Sequence, residues 1–504
     1  MQKRIFGLET EYSPAIKGQS YCTAHASNII LELFRMTKDG RFTVPLLEDH
    51  HFFPKQGQRF FLGSNGARFY FDNEHKLPEY ATPECLSIRE CLLHSMAGDR
   101  IVEDIRKESL RELGPQHTED LIITRINTVF GERAGGDTVG CHENYMTLAS
   151  FIHLQPNTRI QNISDLLVHY LAPFLASRII FDGAGAIRFT PERGWHYVIS
   201  QRAFFMRHLS SPSPQGDRGF VTFRVDGKQE CPPENMRLHL HCGDLFMSPF
   251  GKFIAMGATH LMLRAIEERE TEDPLFTSRY HIDLMRDHVA LASDPTLQAP
   301  FSFSTPGGSC HLRAVDIQRE CIEFVLRHVR SFVTEEKEYL QAWIRMTDML
   351  ANDPSDASEE LDWAIKHALL TQRFGEDFSS PKARLLAYLY HDISERGVYH
   401  RLVEKNLVKR FASEKEVALC RITPPKTRAE FRARYLKAVA PLHDKVQFIE
   451  NWGRFAGPPG FFGFADITNP FDMTTPQGEA LLQEIEGYKQ KERRPFLIDD
   501  SCEI

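Results

Sequence analysis

The chain has 504 residues, 42% hydrophobic and 25% charged, with a formal net charge of −8. That composition supplies a packed core and argues against disorder. The acidic balance argues against bulk nucleic-acid binding, and no run of about 18 or more apolar residues offers a membrane span. The length suits one large domain with a smaller one, or two to three ordinary domains. The ten cysteines include no Cys-x-x-Cys; Cys91 and His94 have ligand-like spacing, but no second such pair stands nearby. The N-terminus runs from Met1-Gln2-Lys3-Arg4 straight into a strand-like segment, without an apolar stretch of signal-peptide length. A cytoplasmic chain with reduced thiols is therefore expected.

Residues 3–12 read as a strand and 22–38 as a helix. Residues 59–72 read as a strand pair broken at Gly63-Ser64-Asn65-Gly66, a turn by composition. The period of apolar residues predicts a helix over 86–113. Residues 118–155 alternate as strands around Gly140-Cys141-His142-Glu143-Asn144-Tyr145. A helix is expected at 163–178, strands at 194–206 and 219–226, and a further alternation at Arg237-Leu238-His239-Leu240-His241. Residues 251–269 are helical by period, and 313–412 are mostly helix with a loop at 352–357. Thr423-Pro424-Pro425 ends that block. Strands with inserted helices, followed by a helical block, define an α+β class. Within 401–440 there are eleven Lys/Arg against four Asp/Glu. This local basic excess is either a solvated helix face or a docking surface for an acidic partner.

Residues two apart on a strand share a face. Glu9 and Glu11 therefore point the same way, in an otherwise largely apolar strand. Arg68, Tyr70 and Asp72 share a second such face, with Phe69 and Phe71 opposite. Carboxylates beside a phenol suit Mg²⁺, which takes oxygen ligands and commonly binds phosphates as well, and arginine suits phosphate. A Glu-x-Glu pair also decorates ordinary solvated strands, and Arg68 with Asp72 also reads as an ion pair on an edge strand. His142 and His239 lie at alternating strand positions and are consistent with completing such a site or with being satisfied core histidines. Arg202, Arg224 and Arg237 are further cations on predicted strands. No P-loop or dinucleotide-type glycine loop is present, since Gly183-Ala184-Gly185 lacks the rest of either pattern. Neither Gly-x-Ser-x-Gly nor His-Glu-x-x-His occurs.

Together these motifs resemble the Pup–protein ligase and depupylase family. The resemblance runs from end to end. It is carried by Gly7-Leu-Glu-Thr-Glu-Tyr12, Asn65-Gly-Ala-Arg-Phe-Tyr-Phe-Asp72, Pro78-Glu-Tyr-Ala-Thr-Pro-Glu-Cys85 and Gly140-Cys-His-Glu-Asn-Tyr145. It continues through Arg237-Leu-His239, Asp362-Trp-Ala-Ile-Lys366, Tyr390-His-Asp-Ile393 and Thr423-Pro-Pro-Lys-Thr-Arg-Ala429. It implies a glutamine-synthetase-like antiparallel sheet with flanking helices over 1–425 and a small C-terminal domain over 426–504. By the same resemblance, Glu9, Tyr70 and Glu79 are magnesium ligands, with His142 and His239 as partners of the metal–nucleotide cluster. Arg68, Thr82 and Trp452 contact ATP, and Asp72 is the catalytic aspartate. Arg202, Arg224 and Arg237 are assigned to substrate binding. The implied partners are a small acidic Pup-like modifier and lysine-bearing target proteins, with no nucleic acid and no membrane.

The activity so implied is an ATP- and Mg²⁺-dependent ligation that joins the modifier's C-terminal glutamate to a lysine through a glutamyl phosphate. The alternatives are hydrolysis of the same bond by a depupylase or deamidase, a small-molecule amide ligase, and a regulatory homologue. The ligase branch fits better: residues 13–64 lack the Pro-rich loop of depupylases, and Ala81–Cys85 and Gly140–His142 are nearer the ligase forms. The chain also departs from the family. One extra residue separates Asp72 from Glu79, and Leu77 stands where a histidine is usual. The run after Thr222 is reduced to Arg224-Val225-Asp226-Gly227. The Gly/Pro/Phe segment at 456–465 is an addition, read as a packed connector or a lid.

Overall fold

The computed structural model describes residues 3–16, 52–55, 59–62, 64–71, 77–113, 121–128, 138–149, 167–211, 218–223, 231–442, 452–457 and 464–493. The expected helix at 22–38 lies outside these residues.

Strand alternation near the N-terminus determines what the middle of the molecule is made of. In β1 (Phe6–Glu11), Phe6 and Leu8 are buried, while Gly7 and Glu9 face the other side and are only half-buried. The next strands are β2 (Ser13–Ile16), β3 (Phe52–Lys55), β4 (Arg59–Leu62), β5 (Arg68–Phe71) and β6 (Pro78–Ala81). They are followed by β7 (Leu121–Thr124), β8 (Cys141–Leu148), β9 (Ala186–Thr190) and β10 (Gly194–Val198). Then come β11 (His208–Ser210), β12 (Gly219–Phe223) and β13 (Asn235–Leu240).

Nine strands form one sheet in the order β11-β12-β13-β8-β1-β6-β5-β4-β3, with β1 at its centre. Every pairing in it is antiparallel except β11 with β12 at one edge. The expected α+β class with a central antiparallel sheet is what the chain adopts. Strand β5 lies between β4 and β6, so the edge-strand reading of Arg68–Asp72 does not hold.

Helices cover the face carrying Phe6, Leu8, Tyr145, Leu238 and Leu240. They include α1 (Ile88–Leu113), α2 (Pro249–Glu268), α3 (Ala314–His328) and α4 (Thr334–Asn352), and with the sheet they build the main core. Burying that face removes most of the apolar surface from water and leaves the opposite face for polar side chains. Beneath the sheet, Glu143 is buried among cations: Arg178 donates to both its oxygens at 2.7 and 2.9 Å, and Lys252 Nζ lies 3.1 Å away. These cations offset the cost of desolvating the carboxylate and hold it well down, at about 2, although burial alone would raise it.

The helical block predicted from 313 onward is present. It continues through α5 (Asp362–Phe374), with a short 3-10 turn at Pro354–Ala357 in the expected loop. Several strands were not anticipated. β9 is one: it pairs with β10, which lies within the strand expected at 194–206, in a hairpin apart from the main sheet, and Pro300–Thr305 pairs with Gly308–Arg313 directly before the helical block. Arg454–Ala456 pairs with Phe464–Asp466, so the 456–465 addition is flanked by a hairpin.

Near the C-terminus, α6 (Arg428–Val439), that hairpin and α7 (Pro476–Arg493) share a small apolar core that includes Phe431, Tyr435, Phe455, Leu481 and Ile485. It is tied to the main sheet through Glu84, buried after β6, which accepts from Arg428 at 2.5 Å and pairs with Arg432. Arg432 Nε also donates to the carbonyl of Gly66 at 2.8 Å. Gly66 has φ +74°, and a Cβ there would meet the Ala429 carbonyl at 2.7 Å. The β4–β5 turn therefore needs glycine on both counts.

Candidate active site

The polar face of the sheet brings together residues that are distant in sequence. Register pairs Tyr70 with Glu79 and Glu79 with Glu11 across β5, β6 and β1. The adjacent row runs Arg68, Ala81, Glu9, His142. One step further, Gly7 faces Asn144, Asn144 faces His239, and His239 faces Thr222. The extra residue before Glu79 therefore does not take that side chain off the face.

Glu9 is the meeting point. Its Oε2 lies 3.4 Å from His142 Nδ1 and 3.1 Å from His239 Nε2. Its Oε1 accepts from Asn144 Nδ2 at 3.3 Å and Arg237 Nη1 at 3.5 Å. Burial pushes the Glu9 carboxyl up, but His239, His142 and Arg237 outweigh it and hold the group well below the usual carboxylate range. Burial drives His239 down to about 4, against the upward pull of Glu9. Tyr70 donates to Glu79 Oε1 at 2.5 Å; burial, and then the Glu79 charge, keep the phenol protonated well above its ordinary range. Glu11 Oε2 accepts the Gly140 amide at 2.5 Å.

One ligand atom each from Glu9, Glu79 and His142 lie within 4.8 Å of one another. Two carboxylates with a phenol alongside form a mainly oxygen set, which fits the hard cation expected for a nucleotide site.

An open cleft of about 660 Å³ lies over the Gly7–Glu9 end of β1, lined among others by Thr82, Asn144, Arg237 and Trp452. Arg68 stands over the Tyr70 ring at 4.7 Å and over the Trp452 ring at 5.8 Å, and Arg432 packs on the same indole at 4.7 Å. Trp452, which lines the cleft, thus carries Arg68 on its indole, while Arg432 on the same ring is buried and paired with Glu84. Thr82 is buried, and its Oγ1 accepts the Leu8 amide at 3.0 Å. Arg202 approaches from the far side, donating Nε to the His241 carbonyl at 2.5 Å and placing Nη2 3.5 Å from His142 Nε2. A Cβ on Gly140 would meet this guanidinium at 2.6 Å, which is why glycine precedes the Cys-His-Glu-Asn run.

The structure thus gathers Glu9, Arg68, Tyr70, Glu79, Thr82, His142, Arg202, Arg237, His239 and Trp452 around one face and its cleft. Asp72 and Arg224 lie outside the described residues. Sequence reasoning missed Asn144, which braces both Glu9 and Arg237, the latter donating to its Oδ1 at 3.4 Å. It also missed His241, whose ring centroid is 4.1 Å from that of His239 and 4.5 Å from that of His142. The alternation that singled out His239 carried the signal for His241 as well. Much of the basic block at 401–440 is spent within the chain: Lys409, Arg410, Arg421, Arg428, Arg432 and Arg434 all pair with carboxylates.

A family model described as Pup-ligase protein matches residues 4–455, and the chain belongs to that family. It is 31% identical over 450 residues to a Pup–protein ligase of Actinosynnema mirum, covering 87% of this chain and 90% of that one. It is 30% identical over 464 residues to a Pup–protein ligase of Kineococcus radiotolerans, covering 90% and 93%. Its fold is shared with the Pup ligase PafA as crystallised in complex with Pup: TM-score 0.78, 24% identity, 99% of this chain and 96% of that one. PafA in complex with ADP gives a TM-score of 0.71 at 26% identity, covering 88% and 92%. Among the described residues no helix is long and apolar enough to cross a membrane.

Proposed function

We propose that the chain is an ATP-dependent carboxylate–amine ligase that joins the C-terminal glutamate of a Pup-like modifier to lysines of target proteins in the cytoplasm. The observation that carries this reading is the convergence of Glu9, Glu79, Tyr70 and His142 on the polar face of the sheet, in a chain that matches the Pup-ligase family over residues 4–455. On this reading Glu9, Tyr70, Glu79, His142 and His239 hold Mg²⁺, which when bound offsets the negative charge of the triphosphate and of the transferring phosphoryl group. Arg68, Thr82 and Trp452 bound the nucleotide cleft, with 426–504 as the unit that supplies Trp452 to it.

A carboxylate is a poor acyl donor. Transfer of the γ-phosphoryl group to the modifier's glutamate gives a mixed anhydride with a good leaving group, which the lysine amine then displaces. Lysine has a pKa of about 10.4 and must lose a proton before it attacks. Asp72 takes that proton. Arg202, Arg224 and Arg237 bring positive charge to the acidic tail of the modifier.

The test combines purified protein, Mg²⁺, ATP, a modifier peptide ending in glutamate and a lysine-rich acceptor, and follows ADP release and the mass of the acceptor. ADP release with a mass-shifted conjugate is expected. Cleavage of a ready-made isopeptide without conjugation would move the assignment to hydrolysis. Asp72→Asn should bind nucleotide normally and lose about 10²–10⁴-fold in conjugation rate; near-full activity would remove Asp72 from the chemistry.

A further inference from the structure

Arg202 reaches the site from outside the main sheet, and a buried network of its own aims it. It stands on the turn Ser200-Gln201-Arg202, between β10 and the short 3-10 helix Ala203–Phe205. A turn has no strand ladder to hold it, so its side chains point where other groups fix its backbone. The Asp244 carboxylate does this here. Its Oδ1 accepts the Arg202 amide at 2.9 Å and the Ser200 hydroxyl at 3.0 Å. Its Oδ2 accepts the Gln201 amide at 2.9 Å and the Ala184 amide at 2.8 Å. Asp244 is 2% exposed, and all four donors are uncharged. A carboxylate buried among neutral groups is costly, yet only a carboxylate, with two accepting oxygens and no donor, takes four N–H and O–H groups at once.

The same turn is held from behind through Gln201. Its Nε2 donates to the Gly185 carbonyl at 2.8 Å and lies 3.2 Å from His391 Nε2, while its Oε1 accepts the Asn127 amide at 3.0 Å. Lys366 Nζ donates to the carbonyls of Ala184 and Gly185 at 2.7 Å each and lies 2.5 Å from His391 Nε2. The motifs at 362–366 and 390–393, which take no part in the site described above, thus meet behind this turn. On its other side Arg202 is buried, anchored by the His241 carbonyl and directed at His142. Its Nη1 is buried with no hydrogen-bond partner. A guanidinium N–H without an acceptor is costly to bury, and an anionic oxygen is the acceptor that suits it best.

We propose that Asp244 is a positioning residue for the ligation: it fixes the 200–202 turn so that Arg202 presents Nη1 to an anionic oxygen of the reacting groups. The kinetic consequence rests on the ligase reading. The placement of Arg202 does not, so the test measures both.

In Asp244→Asn the amide nitrogen faces two of the four donors, so half of the contacts are lost while the volume is kept. Conjugation kcat should fall about 10–100-fold, the scale expected for a misplaced group, with Mg²⁺–ADP affinity retained. Adding Asp244→Asn to Arg202→Ala should lower the rate no further, because the turn then has nothing to aim; a merely structural role would lower the rate in both backgrounds alike. The second readout is the Nε–H resonance of Arg202 in protein carrying nitrogen-labelled arginine, identified as the one missing from Arg202→Lys. In wild type its bond to the His241 carbonyl should make it slow to exchange, and in Asp244→Asn it should exchange as in free arginine. If Asp244→Asn does not fold by thermal melting, Ser200→Ala, which removes one of the four donors, carries both measurements with a smaller loss in the same direction. Unchanged kcat, additive losses in the double variant, or an Arg202 resonance that stays protected would overturn the proposal. A wild type that forms no conjugate would refute the ligase reading instead, and the resonance alone would then decide whether Asp244 places Arg202.

Discussion

At the scale of single residues the site turns on Glu9, whose two oxygens engage His142, His239, Asn144 and Arg237 at once. A carboxylate so placed is already ionised and oriented before any cation arrives, which is the condition for tight binding at low reorganisation cost. Glu9→Gln keeps the volume and removes the charge. Interactions with a charged partner are worth about 1.5–3 kcal/mol, so Mg²⁺–ADP affinity should fall about 10–100-fold by calorimetry. Unchanged affinity would take Glu9 out of the metal site. The alternation Leu8-Glu9-Thr10-Glu11 already told from sequence that both carboxylates share a face. Nothing in that pattern told that Asn144, 135 positions away, braces Glu9, because side-chain direction is local and strand neighbours are not.

At the scale of elements, one buried carboxylate gathers two arginines in the junction between the main sheet and the C-terminal unit. Glu84 carries Arg428 and Arg432, and these arginines hold it down to about 2 against the upward push of burial. Glu84→Gln leaves two buried guanidiniums without their counter-charge and should destabilise by about 3–5 kcal/mol. The measurement is thermal melting, together with hydrogen exchange on α6 and α7. An unchanged melting temperature with unchanged protection would mean the clamp contributes nothing. The Thr423–Ala429 run was recognisable in sequence, yet its arginine carried no sign that it packs on Glu84, 344 positions earlier. The hairpin at 300–313 was overlooked for a different reason: Pro300-Phe-Ser-Phe-Ser-Thr is short and abuts a long helical period that dominates any window laid over it.

At the scale of the whole molecule, several histidines are buried and neutral. Burial lowers His94 to about 3, and His260, His288 and His400 to about 4. The unfolded chain titrates near the ordinary value of about 6.5, so between pH 6.5 and 4 it binds protons that the folded chain refuses. Their contribution to stability is complete above pH 6.5 and is lost as the pH falls toward 4. Glu84 adds its share lower down, present above about pH 4.5 and lost as the pH falls through 2. Asp362, raised to about 6 by burial, works the other way between pH 6 and 4, so the melting temperature should decline from pH 6.5 to 4 more steeply in an Asp362→Asn variant; a flat profile in that variant would contradict the burial of these rings.

The sequence by itself determined which residues share a face, because strand alternation is a property of the backbone over a few residues. It thereby set the Arg68–Tyr70 and Glu9–Glu11 pairs, the buried Phe69–Phe71 face, the helical block and, through its ordered motifs, the family. Only the tertiary structure decided that β1 sits between β6 and β8, that Glu9 meets His142 and His239, and that His241 joins them. Those meetings come from register between strands far apart in the chain, which is set by how the apolar faces pack against the helices and not by any local pattern.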